Sequence, residues 1–321
     1  MDQAMAIRLA IIAIAGVVIG FGAMLVAWWK SGRAASEKVG PLWALPLIAG
    51  VAYIALHLAT LGRSPWPLVG AQERIPVATL VAMVLALLAT RVRFPVLVRW
   101  IVRGVVIAGV GVFIAWRQVS GAWPTSQSAM TIGGFVGATL LTWWALERVT
   151  DRPPTATTNH TRTPTPTAPG KGTLPTRTSG ISAALVASAV AGAAANALAI
   201  TYSSLSLAQL AGILATVMIG VAMACAVRPR ISLAMGGAHV VAVVTQAVLL
   251  AGIITTATPH ERVYPWLVAA VPMAVVGVDA ALAKRLKPWM HAVVRVVAAA
   301  VIVGAITGLA AANMPSFEYA Y

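Results

Sequence analysis

The stretch 207–227, LAQLAGILATVMIGVAMACAV, runs twenty-one residues without a charge and stops at Arg228-Pro229-Arg230. A hydrocarbon core about 30 Å thick needs roughly 20 apolar residues of helix, so this segment has the length of a span. Its apolar residues lie on every side and are mostly Ala, Leu and Val, whereas a membrane strand alternates over about ten residues. A helix also satisfies each backbone polar group within the segment, as lipid requires.

The same pattern recurs along the chain. Reading outward, ten spans are predicted: Ile7 to Trp29, Pro41 to Leu61, Ile75 to Thr90, Val96 to Trp116, Met130 to Leu146, Ile181 to Thr201, Leu207 to Val227, Ile231 to Thr255, Tyr264 to Ala283 and Trp289 to Ala311. The third and fifth are the shortest. The first exceeds the 7–15-residue apolar region of a signal peptide and is expected to be retained. All eleven tryptophans fall near span ends or in connections, where an indole sits stably at headgroup level. The predicted fold class is therefore all-α, a polytopic membrane bundle of about ten helices.

Composition agrees. Of 321 residues, 60% are AVILMFWYC and only 10% are charged, against about 25% charged in a soluble domain. The mean hydropathy is +0.87. Too few charges exist to clothe two soluble domains, and one cysteine, Cys225, excludes a disulfide scaffold. A net charge of +15 would suggest nucleic acid in a soluble chain, but in a membrane protein basic residues hold loops in the cytoplasm. Alternate connections carry eighteen Lys and Arg on one side and five on the other, the five being Arg8, Arg63, Arg74, Arg117 and Arg262. That asymmetry predicts an integral plasma (inner) membrane protein with both termini outside, and no nucleic-acid partner.

Residues 150–180 differ in character, with eleven Thr and six Pro among 31 residues. Such chain buries too little surface to offset its ordering entropy. The expected organisation is a first five-helix half over 1–149, a Pro/Thr-rich cytoplasmic linker over 150–180 and a second half over 181–321. Five spans per half would set the halves in opposite orientations, as in inverted-repeat transporters, although no motif repeats between them.

Ionisable groups inside spans are costly and mark sites by default. Here they are His57, His239, Asp279 and Arg295. A tight connection at Lys284 to Pro288 makes the last two spans antiparallel neighbours and brings Asp279 and Arg295 to similar depth. His239 lies at nearly that level and Gln246 two turns deeper, so the four predict a polar site at the cytoplasmic mouth of a cavity. The same spacing also suits an Asp279 that reaches the interface and an Arg295 that snorkels. A second polar spot is predicted at Tyr53 and His57, with hydrogen-bonded packing the simpler role. His260 and His291 fall near interfaces, and Arg99 and Arg103 read as topogenic charge facing anionic headgroups. The remaining acids are placed in loops or tails, with Glu147 and Asp151 flanking the linker, which leaves Asp279 as the only acid expected inside a span.

Small residues four apart at Gly16/Gly20, Gly133/Gly137 and Gly304/Gly308 predict close helix packing, within the chain or to a partner. No metal-ligand spacing, phosphate loop, nucleophile elbow or DxxxD pair occurs, so no catalytic residues, metal or cofactor are expected and the chain is not read as an enzyme. The expected partners are membrane lipids, including anionic headgroups, with other membrane subunits or a second copy as further possibilities. Two functional classes follow: a secondary transporter or permease for a small solute or ion, and a non-catalytic subunit of a larger membrane complex.

Overall fold

The computed structural model describes residues 3–32, 44–61, 68–91, 95–151, 177–200, 204–227, 237–255, 262–282 and 286–313. Most of the predicted linker, and His260, lie outside the described residues. Ten α-helices follow in order: α1 (Gln3–Gly32), α2 (Ala44–Leu61), α3 (Ala71–Arg91), α4 (Val96–Ile114), α5 (Thr125–Asp151), α6 (Arg177–Ile200), α7 (Leu205–Val227), α8 (Gly237–Thr255), α9 (Tyr264–Leu282) and α10 (Pro288–Ala312). Among the described residues no strand occurs, and nine of these helices are long and apolar enough to cross a membrane. The apolar stretch of α2, Ala44–Thr60, is the shorter exception. The protein is an all-α, multi-pass membrane bundle.

Three helices clearly outrun the spans read from hydropathy, the first of them α1, expected over Ile7 to Trp29 and running from Gln3 to Gly32. The third was expected from Ile75 and begins at Ala71, taking in Glu73 and Arg74; the fifth was expected over Met130 to Leu146 and runs from Thr125 to Asp151. Apolarity marks where lipid lies, while a helix continues as long as its ends are satisfied. At the start of α3 the Glu73 carboxylate accepts from the backbone N–H groups of Val69 and Gly70, both at 2.9 Å, the acidic half of a capping box. Arg74 donates to the carbonyls of Phe113 at 2.8 Å and Ile114 at 3.3 Å, closing the end of α4 with a cation. A π-helical turn, Gln118–Ala122, then carries the chain toward α5.

Helix α8 occupies the centre. Sixteen consecutive residues, Gly237 to Gly252, are buried, and 89% of its apolar window is covered, against 17% for α1 and α10 at the periphery. Helix α3 packs on α8 from the first half of the sequence, α5 packs on both α8 and α9, and α1 lies along α7. The two five-helix stretches thus share one core. Their packing is not two-fold: α1 lies along α7 and α6 along α10, whereas the pairs that an inverted repeat would equate with these, α6 with α2 and α1 with α5, make at most marginal contact.

Glycine decides the α1–α7 seam. A Cβ on Gly16 would strike the Thr216 hydroxyl, one on Gly20 would strike the Val217 carbonyl oxygen, and one on Gly220 would strike the Val17 carbonyl oxygen. The backbones themselves touch, as small-residue seams in membranes allow. Gly137 is equally constrained, because a Cβ there would come within 2.7 Å of the Trp266 ring. At Gly133, Gly304 and Gly308 nothing lies within 4 Å of an added Cβ, so of the two roles read for them, packing within the chain and packing to a partner, the described residues supply no close contact for the first. Sequence spacing gives a helix face but not whether that face turns inward. Gly220→Leu is expected to lower stability by about 1–3 kcal/mol, since a backbone carbonyl cannot yield as a side chain does. Gly308→Leu is expected to stay within about 0.5 kcal/mol. Thermal unfolding in detergent compares them, and equal losses would refute the assignment of the seam.

Candidate functional site

The polar groups inside the bundle form three separate clusters. The first is the pair expected from sequence. Asp279 of α9 and Arg295 of α10 meet in a bidentate ion pair, Nε to Oδ1 at 2.8 Å and Nη2 to Oδ2 at 2.7 Å, with exposures of 1% and 4%. Both side chains are thus covered by neighbouring helices rather than reaching outward from the bundle. Arg295 Nη1 further donates to the Val149 carbonyl and the Ser182 hydroxyl, each at 3.4 Å. His291, one turn before Arg295, places Nδ1 3.5 Å from Asp279 Oδ1. Groups of α5, α6 and α9 therefore converge on one arginine of α10. Charge is balanced in the pair, and the planar guanidinium fork suits a carboxylate in this way.

The second cluster corrects two expectations. Arg103 of α4 does not face headgroups, and Glu147 lies inside α5 rather than beside a loop. Arg103 is buried and holds Glu147 through Nη2–Oε1 at 2.7 Å and Nη1–Oε2 at 3.1 Å. Asp279 is therefore not the sole acid within a span. Trp143, one turn before Glu147, donates from Nε1 to Glu147 Oε1 at 2.9 Å and is also buried, unlike the interfacial role read for it. The Arg103 guanidinium carbon lies 4.1 Å from the Trp143 ring. His239 of α8 lies 3.9 Å from the same ring, centroid to centroid. Both groups therefore lie against the indole, the arginine as a cation–π partner. Both ring nitrogens of His239 are buried without a hydrogen-bond partner.

The last two turns of α5 join these clusters, with Glu147 turned to α4 and the Val149 carbonyl to α10. Two arginines thereby stand beside the carbonyl-rich end of one helix, where cations are favoured. Together the ion pairs form a charge-neutral layer near the end of the bundle where α5 stops and α6 begins.

Gln246 belongs elsewhere. It lies seven residues beyond His239, about 10 Å further along α8 at 1.5 Å per residue. Its Nε2 donates to Thr142 Oγ1 at 3.2 Å and to the Pro265 carbonyl at 3.1 Å. Because a carbonyl only accepts, the amide orientation is fixed, and Oε1 is left buried without a partner. Gln246 lines a cavity of about 160 Å³ between α5, α8 and α9, together with Thr131, Phe135, Leu250, Arg262 and Trp266. The Thr131 hydroxyl is likewise buried and unpartnered. With the Gln127 amide turned so that its oxygen faces these two donors, Arg262 Nη2, at the entry to α9, donates to it at 3.1 Å and Trp123 Nε1 at 3.2 Å. Trp266 closes the wall by lying over Gly137.

Tyr53 and His57 remain a local pair on α2. Tyr53 Oη and His57 Nδ1 are 3.3 Å apart and both residues are fully buried. Neither lines the cavity. Among the described residues no three His, Cys, Asp or Glu side chains converge as metal ligands. No protein-family model matches the chain, and comparison with curated proteins finds no relative, so its functional assignment rests on this geometry.

Proposed function

We propose that the protein is a permease for a small solute, with the cavity between α5, α8 and α9 as its binding chamber. The observation that carries this reading is the cavity floor: a fully buried glutamine with a fixed amide and an unpartnered carbonyl oxygen, beside a second unpartnered hydroxyl. Buried polar atoms are ordinarily satisfied, and exceptions concentrate where a ligand supplies the partner. The neutral ionic layer supports the reading from the other side, since it would seal the bundle while the chamber is open. Charge asymmetry between the connections supports a cytoplasmic side for that sealed end in a plasma (inner) membrane. No catalytic step is assigned.

The test is solute flux into liposomes holding the full chain, followed by light scattering after an osmotic step, with a panel of small polyols, amino acids and carboxylates. Wild type is expected to accelerate entry of at least one class over protein-free vesicles. Gln246→Met, which keeps the volume and removes the carbonyl oxygen, is expected to slow it at least tenfold at equal protein content. Folded protein that accelerates no solute would reject the reading.

A second reading, a structural subunit of a larger complex, draws on the outward face of α10, where Gly304 and Gly308 are uncovered beside Val297 and Val301. The mass of the particle extracted from native membranes separates the two, because stoichiometric foreign polypeptides would favour the subunit.

A further inference from the structure

We infer that the chamber selects a small organic carboxylate that carries a hydrogen-bond donor at its apolar end, an inference that rests on the permease reading for its physiological meaning. Among the described residues, Arg262 is the only charged side chain lining the cavity. The partner the structure gives its guanidinium is the neutral amide of Gln127, and among the described residues no carboxylate pairs with it. A guanidinium beside apolar walls, with no counter-ion among the described residues, favours an anion, and its planar fork matches a carboxylate with two parallel hydrogen bonds. The Gln127 contact uses Nη2 and leaves further N–H groups to donate.

The far side has the opposite polarity. Gln246 Oε1 is an unpartnered acceptor on a residue that lines the cavity, so a ligand that reaches it must bring an N–H or O–H, and the unpartnered Thr131 hydroxyl lines the same cavity. Between them the walls are apolar and aromatic: Phe135, Leu250 and Trp266. A dry cavity of about 150 Å³ holds one benzene ring, and the chamber measures about 160 Å³. One ring or a branched aliphatic group of that size fits, with its carboxylate at Arg262. A sugar phosphate does not suit these walls, because its hydroxyls would lose their hydration without replacement.

Four probes separate the contributions: 4-hydroxybenzoate, benzoate, 4-hydroxybenzamide and benzamide, titrated calorimetrically into the full chain in lipid nanodiscs at pH 7, with empty nanodiscs as the blank for partitioning. 4-Hydroxybenzoate is expected to bind one to one and at least tenfold more tightly than 4-hydroxybenzamide. Arg262→Gln is expected to erase that preference, while Arg262→Lys, which keeps the charge and loses the fork, retains part of it. Gln246→Met is expected to erase the advantage of 4-hydroxybenzoate over benzoate and to leave the acid-over-amide preference intact. Equal binding of acid and amide, indifference to Arg262→Gln, or no binding of any probe would each overturn the inference. Carboxylate binding without flux would sink the permease reading and leave this site standing. Flux of other solutes without carboxylate preference would do the reverse.

Discussion

Replacing Asp279 with alanine is expected to remove most of the folded protein from the membrane. The substitution leaves Arg295 charged and buried, with only the Val149 carbonyl and the Ser182 hydroxyl at 3.4 Å for partners. Breaking one side of a buried ion pair typically costs about 3–5 kcal/mol, because the remaining charge is uncompensated. Asp279→Asn should behave similarly, since the amide keeps the shape but not the charge. The double variant Asp279→Leu with Arg295→Met removes both charges and should recover most of the loss. Abundance in membranes and thermal unfolding in detergent read the effect. If Asp279→Asn instead leaves abundance intact and abolishes flux, the pair works in transport and not in holding α9 to α10.

The second large effect is expected at Glu147. Its carboxylate receives two bonds from Arg103 and one from the Trp143 indole, so Glu147→Ala unpairs a buried cation and a buried N–H together. A loss of about 3–5 kcal/mol is again expected. Glu147→Gln should cost less, because the amide oxygen still accepts from Trp143 and Arg103 Nη2 while the charge and the acceptor for Arg103 Nη1 are lost. The order wild type, glutamine, alanine in unfolding temperature is the result that supports this account. Equal stability of the two variants would show that the indole bond contributes nothing.

These two clusters differ in how far the sequence exposed them. Asp279 and Arg295 were legible because the short connection at Lys284 to Pro288 fixes both neighbour and depth. The Arg103–Glu147 pair was not. Arg103 lies eleven residues before the end of α4, and Glu147 lies twenty-two after the start of α5. Those depths match only when the helical turn at Gln118–Ala122 is added to α4, and hydropathy gives no sign of such a turn. The Trp143 and Glu147 spacing of one turn was an available signal, obscured because a tryptophan near a span end reads as an interface anchor. Gln246 and His239 share a face of α8, yet periodicity fixes a face without fixing what covers it. His239 meets the Trp143 ring, whereas Gln246 reaches the chamber.

The central place of α8 has a consequence for synthesis. Ribosomes deliver helices in chain order, and the first domains made are usually the first to fold. Here α3 and α5 must wait in the bilayer, their inner faces against lipid, until the eighth helix arrives between them. The Arg103–Glu147 pair can close early because both partners lie in the first half, but Asp279 enters with α9 and has no cation until α10 follows. A nascent chain halted after α9 would therefore carry an unpaired carboxylate in the membrane, the kind of flaw that membrane quality-control proteases remove. Helix α10 thereby supplies the cation that neutralises the charge α9 brings into the bundle.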